Sequence, residues 1–156
     1  MDILLNELTS GIPDLAQSVR IVVRILAATV VGAVIGYERE RTGKSAGLRT
    51  HMLVALGSAI FVVAPLEAGM PIEDLSRVIQ GVAAGIGFIG AGAILKLADA
   101  RVIEGLTTAA GIWLTAALGL AAGLGRFGLA AISTVMAWVI LAIVARLETR
   151  FDKPAD

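Results

Sequence analysis

Residues 78–97 read VIQGVAAGIGFIGAGAILKL, with no charge between Val78 and Leu95. A helix rises about 1.5 Å per residue, so about twenty residues cross the roughly 30 Å hydrocarbon core of a bilayer. The stretch is apolar on all sides, which a helix on the surface of a soluble protein is not. Working outward, residues 21–37, 48–66, 106–124 and 127–145 have the same character. Composition agrees: 57% of the 156 residues are hydrophobic and only 17% are charged, and the mean hydropathy is +0.86. The expected fold is an all-α membrane protein, a bundle of about five transmembrane helices forming a single domain over residues 1–156. The shorter, mixed segment 12–19 reads as an interfacial stretch before the first span.

Charge sets the expected orientation. Arg39, Arg41, Lys44, Arg49, Lys96, Arg101, Arg146, Arg150 and Lys153 fall on one side of such a bundle; Arg20, Arg24, Arg77 and Arg126 fall on the other. The positive-inside rule then gives an external N-terminus and a cytoplasmic C-terminus. The first residues, MDILLNELTSGIPD, have no basic start and no small-residue cleavage site, and read as retained rather than as a signal peptide. The 13 basic and 13 acidic residues cancel, so no nucleic-acid partner is indicated. The absence of cysteine excludes disulfides, thiol catalysis and thiolate metal sites.

Small residues mark the expected helix contacts. Gly81, Gly85, Gly87, Gly90 and Gly92 crowd the third span, and Gly105, Gly111, Gly119, Gly123 and Gly125 follow in and around the fourth. In lipid, helices associate by close packing, which small residues permit. These glycines, with Thr107 and Thr108, read as a tight hairpin or bundle core, or else as a homo-oligomer contact or a hinge near a permeation path. A short repeat accompanies them: GLRT at 47–50 returns as GLTT at 105–108, and Gly32-Ala33 returns as Gly90-Ala91 at the same separation. It is either a parallel duplication or a chance likeness of Gly/Ala-rich helices.

Chemistry concentrates in residues 36–51, GYERERTGKSAGLRTH, between the first two spans. Arginine near the membrane needs partners, and carboxylates offer it bidentate bonds. Arg49 or Arg39 is expected to pair with Glu38 or Glu40, with Arg49→Lys impairing folding or function. Glu38 and Arg41, three apart, share a helix face, with Arg39 and Glu40 pointing elsewhere. An ordinary positive-inside anchor with loosely paired charges is the alternative reading of this cluster. Glu38 and Glu40 are weak candidates for a magnesium site, since four basic residues of the same loop compete for them. The lone histidine, His51, reads as an interfacial hydrogen-bonding group, Arg24 as snorkelling outward, and Trp113 and Trp138 as packing residues. Thr108 and Thr115 are expected to bond carbonyls or cross helices. No nucleotide loop, paired histidines or nucleophile–base pair is seen, so the chain is not expected to be an enzyme or to need a cofactor.

The runs GYERERTGKSAGLRTHMLVALGSAIF, GIGFIGAGAIL and GLTTAAGIWLTAALGLAAG, in this order, resemble the MgtC/SapB family of bacterial inner-membrane proteins. The likeness covers roughly residues 24–125. Glu38, Arg39, Glu40, Gly47, Leu48, Arg49 and Thr50 match the family's charged motif. Gly87, Gly90, Ala91, Gly92, Gly105, Leu106, Thr107 and Thr108 match its glycine-rich and GLTTAA motifs. The resemblance implies a small multi-pass protein of the inner membrane, tied to magnesium homeostasis or stress adaptation. It also implies regulation through contacts with other membrane proteins, the F-type ATP synthase among them. The alternative it carries is a small transporter of Mg²⁺ or another ion, or an accessory to one. Two features depart from the pattern. The soluble C-terminal domain of many virulence-associated members does not follow the last span here, which puts transfer of the virulence role in doubt. Glu104 stands before GLTT, where it is expected to offset Arg101 or engage Arg49.

Overall fold

The computed structural model describes residues 13–96 and 103–144, together with Leu4. Five helices long and apolar enough to cross a membrane follow one another. Helix α1 spans Leu15–Arg41, α2 Leu48–Glu67, α3 Leu75–Gly92, α4 Leu106–Gly123 and α5 Phe127–Val139, the last continuing as a π-helical turn over Ile140–Val144. A 3₁₀ turn, Ile72–Asp74, leads into α3. Residues Leu95–Lys96 pair antiparallel with Ile103–Glu104 between α3 and α4.

Helix α1 is longer than the sequence reading at both ends. Asp14 accepts a hydrogen bond from Gln17 N at 2.6 Å and caps the helix, so Leu15 to Val19 belong to the span instead of forming a separate interfacial segment. At its far end Thr42 Oγ1 donates to the carbonyls of Glu38 and Arg39, and Gly43, at φ +68°, turns the chain into α2.

The helices do not form a simple ring of sequential neighbours. Helix α4 is central: it packs against α1, α2, α3 and α5. Of its span, 61% is buried, against 11% for the span containing α3, so α4 faces protein and α3 faces mostly outward. The core is built from small side chains between helices, with Ala28, Ala59, Ala122 and Ala130 in one layer. Ile35, Leu118, Ala137 and Leu141 form a second layer.

The close approaches lie elsewhere than the third span. A Cβ on Gly32 would sit 2.6 Å from the His51 carbonyl oxygen, and one on Gly123 would sit 2.9 Å from Ala59 Cα. Gly119 is pressed against the backbone of Ala55 in the same way. Gly81, Gly85, Gly87 and Gly92 instead face open space, and Gly90 alone of that run lies near a neighbour, 3.7 Å from Ala109. The packing role expected for Gly85, Gly87 and Gly92 is therefore corrected: the tight joints are α1–α2 and α2–α4. Trp113 and Trp138 are 52% and 40% exposed, so they too face outward, contrary to the packing role expected of them.

Candidate functional site

Helix periodicity places the charged cluster. Along α1, Ala28, Gly32, Ile35, Gly36 and Arg39 are all buried, at the three- and four-residue spacing of one helix face. Arg39 is thus carried inward by the face that packs against α2 and α4. Glu38 and Arg39 are 2% and 3% exposed, with Arg39 Nη1 3.9 Å from Glu38 Oε2. Arg39 Nη2 donates to Thr108 Oγ1 across the bundle at 3.2 Å. A second polar joint lies deeper. Thr115 Oγ1 donates to the Gly111 carbonyl at 2.8 Å and lies 2.9 Å from His51 Nδ1.

Several expectations are revised by this geometry. Of the two arginines expected to pair with a carboxylate, Arg49 is exposed and makes no ion pair among the described residues, whereas Arg39 is buried and pairs with Glu38 as expected. Glu38 and Arg39 both face inward, whereas Arg41 is exposed, so the Glu38–Arg41 face does not form. Glu40 is exposed, and its Oε2 accepts from Leu48 N at 2.7 Å, capping α2. A Cβ at Gly47 would come 2.8 Å from that carboxylate oxygen, the mobile end of an exposed side chain that can shift. Glu38 is held beside Arg39 and Glu40 on a helix end, so the two carboxylates do not converge on a magnesium site. His51 is 0% exposed and is a core group, not an interfacial one. Thr50 is half-buried beside Ser45 and Gly92. Glu104 is exposed and makes no contact with Arg49; Arg101 lies outside the described residues.

A cavity of about 900 Å³ opens at this charged end. Arg39 and Lys44 line it from the α1–α2 side, and Glu104, Gly105, Thr107 and Thr108 from the start of α4. Gly105, at φ +91°, abuts the Ala93 carbonyl so closely that no side chain fits. The GLTT motif thus sets the first turn of α4 against the end of α3. Ile140, Leu141 and Val144, from the wide π turn of α5, supply an apolar wall.

The sequence reading paired arginine with carboxylate by nearness in the chain. The burial of Arg39, its bond to Thr108 and the His51–Thr115 contact were missed. The signal for the first was present: Arg39 continues the 28-32-35-36 stripe. For Thr108 and Thr115, seven apart and therefore on one face of α4, the signal shows only which side they share.

Residues 25–150 match the model of the MgtC family. The chain is 48% identical to "Protein SrpB" of Synechococcus elongatus over 136 residues, covering 80% of this chain and 75% of that one. It is 39% identical to "Putative magnesium transporter YhiD" of Escherichia coli, over 83% of this chain and 62% of that one. With "Protein MgtC" of Salmonella typhimurium it shares 37% identity over 74% of its own length and 48% of that protein. It therefore spans less than two thirds of the last two. No solved structure gives a significant match.

Proposed function

The chain belongs to the MgtC family, and from that premise we propose that it is a regulatory inner-membrane protein, linked to magnesium homeostasis or stress adaptation, that acts by contact with other membrane proteins. On this reading it is not an enzyme. Its charged end, with residues 38–50, faces the cytoplasm, as the distribution of basic residues predicts. Its partners are other integral proteins, the F-type ATP synthase among them, and further copies of itself. Helix α3, with its largely outward surface and its open glycines Gly81, Gly85 and Gly87, is the face on which another helix would approach closely.

The observation that carries this reading is the tightness of the interior beyond the charged end. Gly32, Gly119 and Gly123 bring α1, α2 and α4 into backbone contact, and the layer of Ala28, Ala59, Ala122 and Ala130 fills the space beyond. A vestibule closed at its inner end suits recognition from one side better than passage. The name of the Escherichia coli relative favours a second reading, a small Mg²⁺ transporter or transport accessory. The two are separated by purified protein in lipid vesicles loaded with a Mg²⁺-sensitive dye. Regulation predicts uptake no faster than in empty vesicles; uptake abolished by Glu38→Ala would establish transport instead.

A further inference from the structure

We propose that two copies of this chain pair in the membrane through α3, side by side and in the same orientation, with Gly81, Gly85 and Phe88 at the contact. The inference rests on the reading of α3 as a contact face, and adds to it the partner and the register. Leu75, Ile86 and Gly90 are the buried positions of α3 and mark the side that meets the bundle. Away from them, at spacings of three and four, lie Gly81, Ala84, Gly85, Phe88, Ala91 and Gly92, all exposed, which places them on one face. A Cβ added at Gly81, Gly85 or Gly92 would meet nothing within 4 Å.

The other outer helices present larger groups. Helix α1 turns Val22, Leu26 and Val30 outward, and α5 turns Leu129, Ile132 and Val135 outward. Branched side chains of that size pack well among acyl chains. A strip of glycine and alanine gives a lipid tail little to touch, but it lets a second helix backbone come close. Gly81 and Gly85 stand four apart, the spacing of closely crossing helix pairs in membranes.

Three further features point to a partner, and to a copy of this chain as that partner. Gln80, at the edge of the face, is exposed and lies five residues into α3, roughly 7.5 Å beyond its start. Its amide takes part in none of the side-chain hydrogen bonds among the described residues. In hydrocarbon such a group needs a partner. A side-chain amide is donor and acceptor at once, so the same residue of a second copy satisfies it reciprocally. Phe88, 86% exposed, stands beside the hollow at Gly85 and Gly92. One face thus carries both a knob and a hole, the condition for a two-fold contact in which each copy fills the other. Copies insert with one orientation, so the paired helices run parallel and each position of α3 lies level with its equivalent. At the outer end Glu73, Asp74 and Arg77 are exposed, and the ion pair found among the described residues is Arg39 with Glu38. Pairing brings Arg77 of each copy level with the carboxylates of the other.

The test uses the whole chain in native membranes. It contains no cysteine, so a single introduced cysteine reports one position. At expression low enough to leave linkage incomplete, oxidation of Gly81→Cys or Ala84→Cys is expected to give a disulfide-linked product of twice the chain mass. Ile132→Cys, on the outward face of α5, is the control for chance collision and is expected to stay single. In the Ala84→Cys background, Gly85→Ile adds a side chain that meets nothing within its own copy, and is expected to cut the linked fraction by roughly tenfold; Gln80→Leu is expected to cut it by roughly three- to tenfold. The proposal is overturned if both α3 cysteines link no more than Ile132→Cys, or if Gly85→Ile leaves the linked fraction unchanged. Linkage of Ala84→Cys only to a protein of another mass overturns self-pairing and leaves the regulatory reading standing. Self-pairing found together with Mg²⁺ uptake in vesicles does the reverse.

Discussion

In the α1–α2 hairpin, Gly32 meets the backbone of His51, whereas at the same chain separation in the α3–α4 hairpin Gly90 meets Ala109 at 3.7 Å. The motif GLRT opens α2 and GLTT opens α4. The two pairs therefore use equivalent positions for their joints, which favours a parallel duplication over chance likeness. They differ in what surrounds the joint. In the first pair it is closed: buried glycines, an inward ion pair, a carboxylate on the following helix end. In the second it is looser: α3 turns a glycine face outward and a cavity lies beside the first turn of α4, although Gly105 abuts the Ala93 carbonyl. One sequence pattern thus supports rigidity in one half and leaves surfaces available in the other.

The difference can be broken where it is strongest. Gly32→Val places a side chain against the His51 carbonyl and is expected to cost about 3 kcal/mol or more through overpacking, seen as loss of folded protein in detergent. Gly87→Ala, in the open face of α3, is expected to leave melting unchanged or raise stability by at most about 1 kcal/mol, since glycine is a poor helix former. Equal losses in both would erase the contrast. Next in size, Arg39→Lys forfeits the bond to Thr108 and the fork facing Glu38, for a loss of about 2 kcal/mol, while Arg49→Lys stays within about 0.5 kcal/mol, as for other exposed positions. Chemical unfolding of the two variants in one detergent compares them directly. Smallest among the losses, Glu40→Ala removes the carboxylate that accepts from Leu48 N and is expected to cost about 1 kcal/mol; an unchanged midpoint would show that this bond does not hold the start of α2.

The spans were legible because bilayer thickness imposes a length and because no charge interrupts residues 78–95. Element ends were less so: Asp14 caps α1 through one local bond that a hydropathy pattern does not register. Small residues told that helices touch, not which ones. Gly87 and Gly32 look alike in sequence, yet one faces outward and the other a carbonyl, because the order of helices around α4 decides it. For the site, the residue types of 38–51 were visible, but partners came from across the bundle. Thr108 lies 69 residues from Arg39, a distance no local spacing rule spans. The burial of Arg39 was readable from the helical stripe it continues.

The proposed regulatory role requires a five-span bundle whose charged end meets the cytoplasm. The chain has no cysteine, so single cysteines report cleanly. Lys44→Cys, at the charged end, and Glu73→Cys, in the exposed turn before α3, are to be probed with a membrane-impermeant maleimide on intact spheroplasts and on inverted vesicles. Glu73→Cys is predicted to react only in spheroplasts and Lys44→Cys only in inverted vesicles. Labelling of both from one side, or of Lys44→Cys from outside, would contradict it.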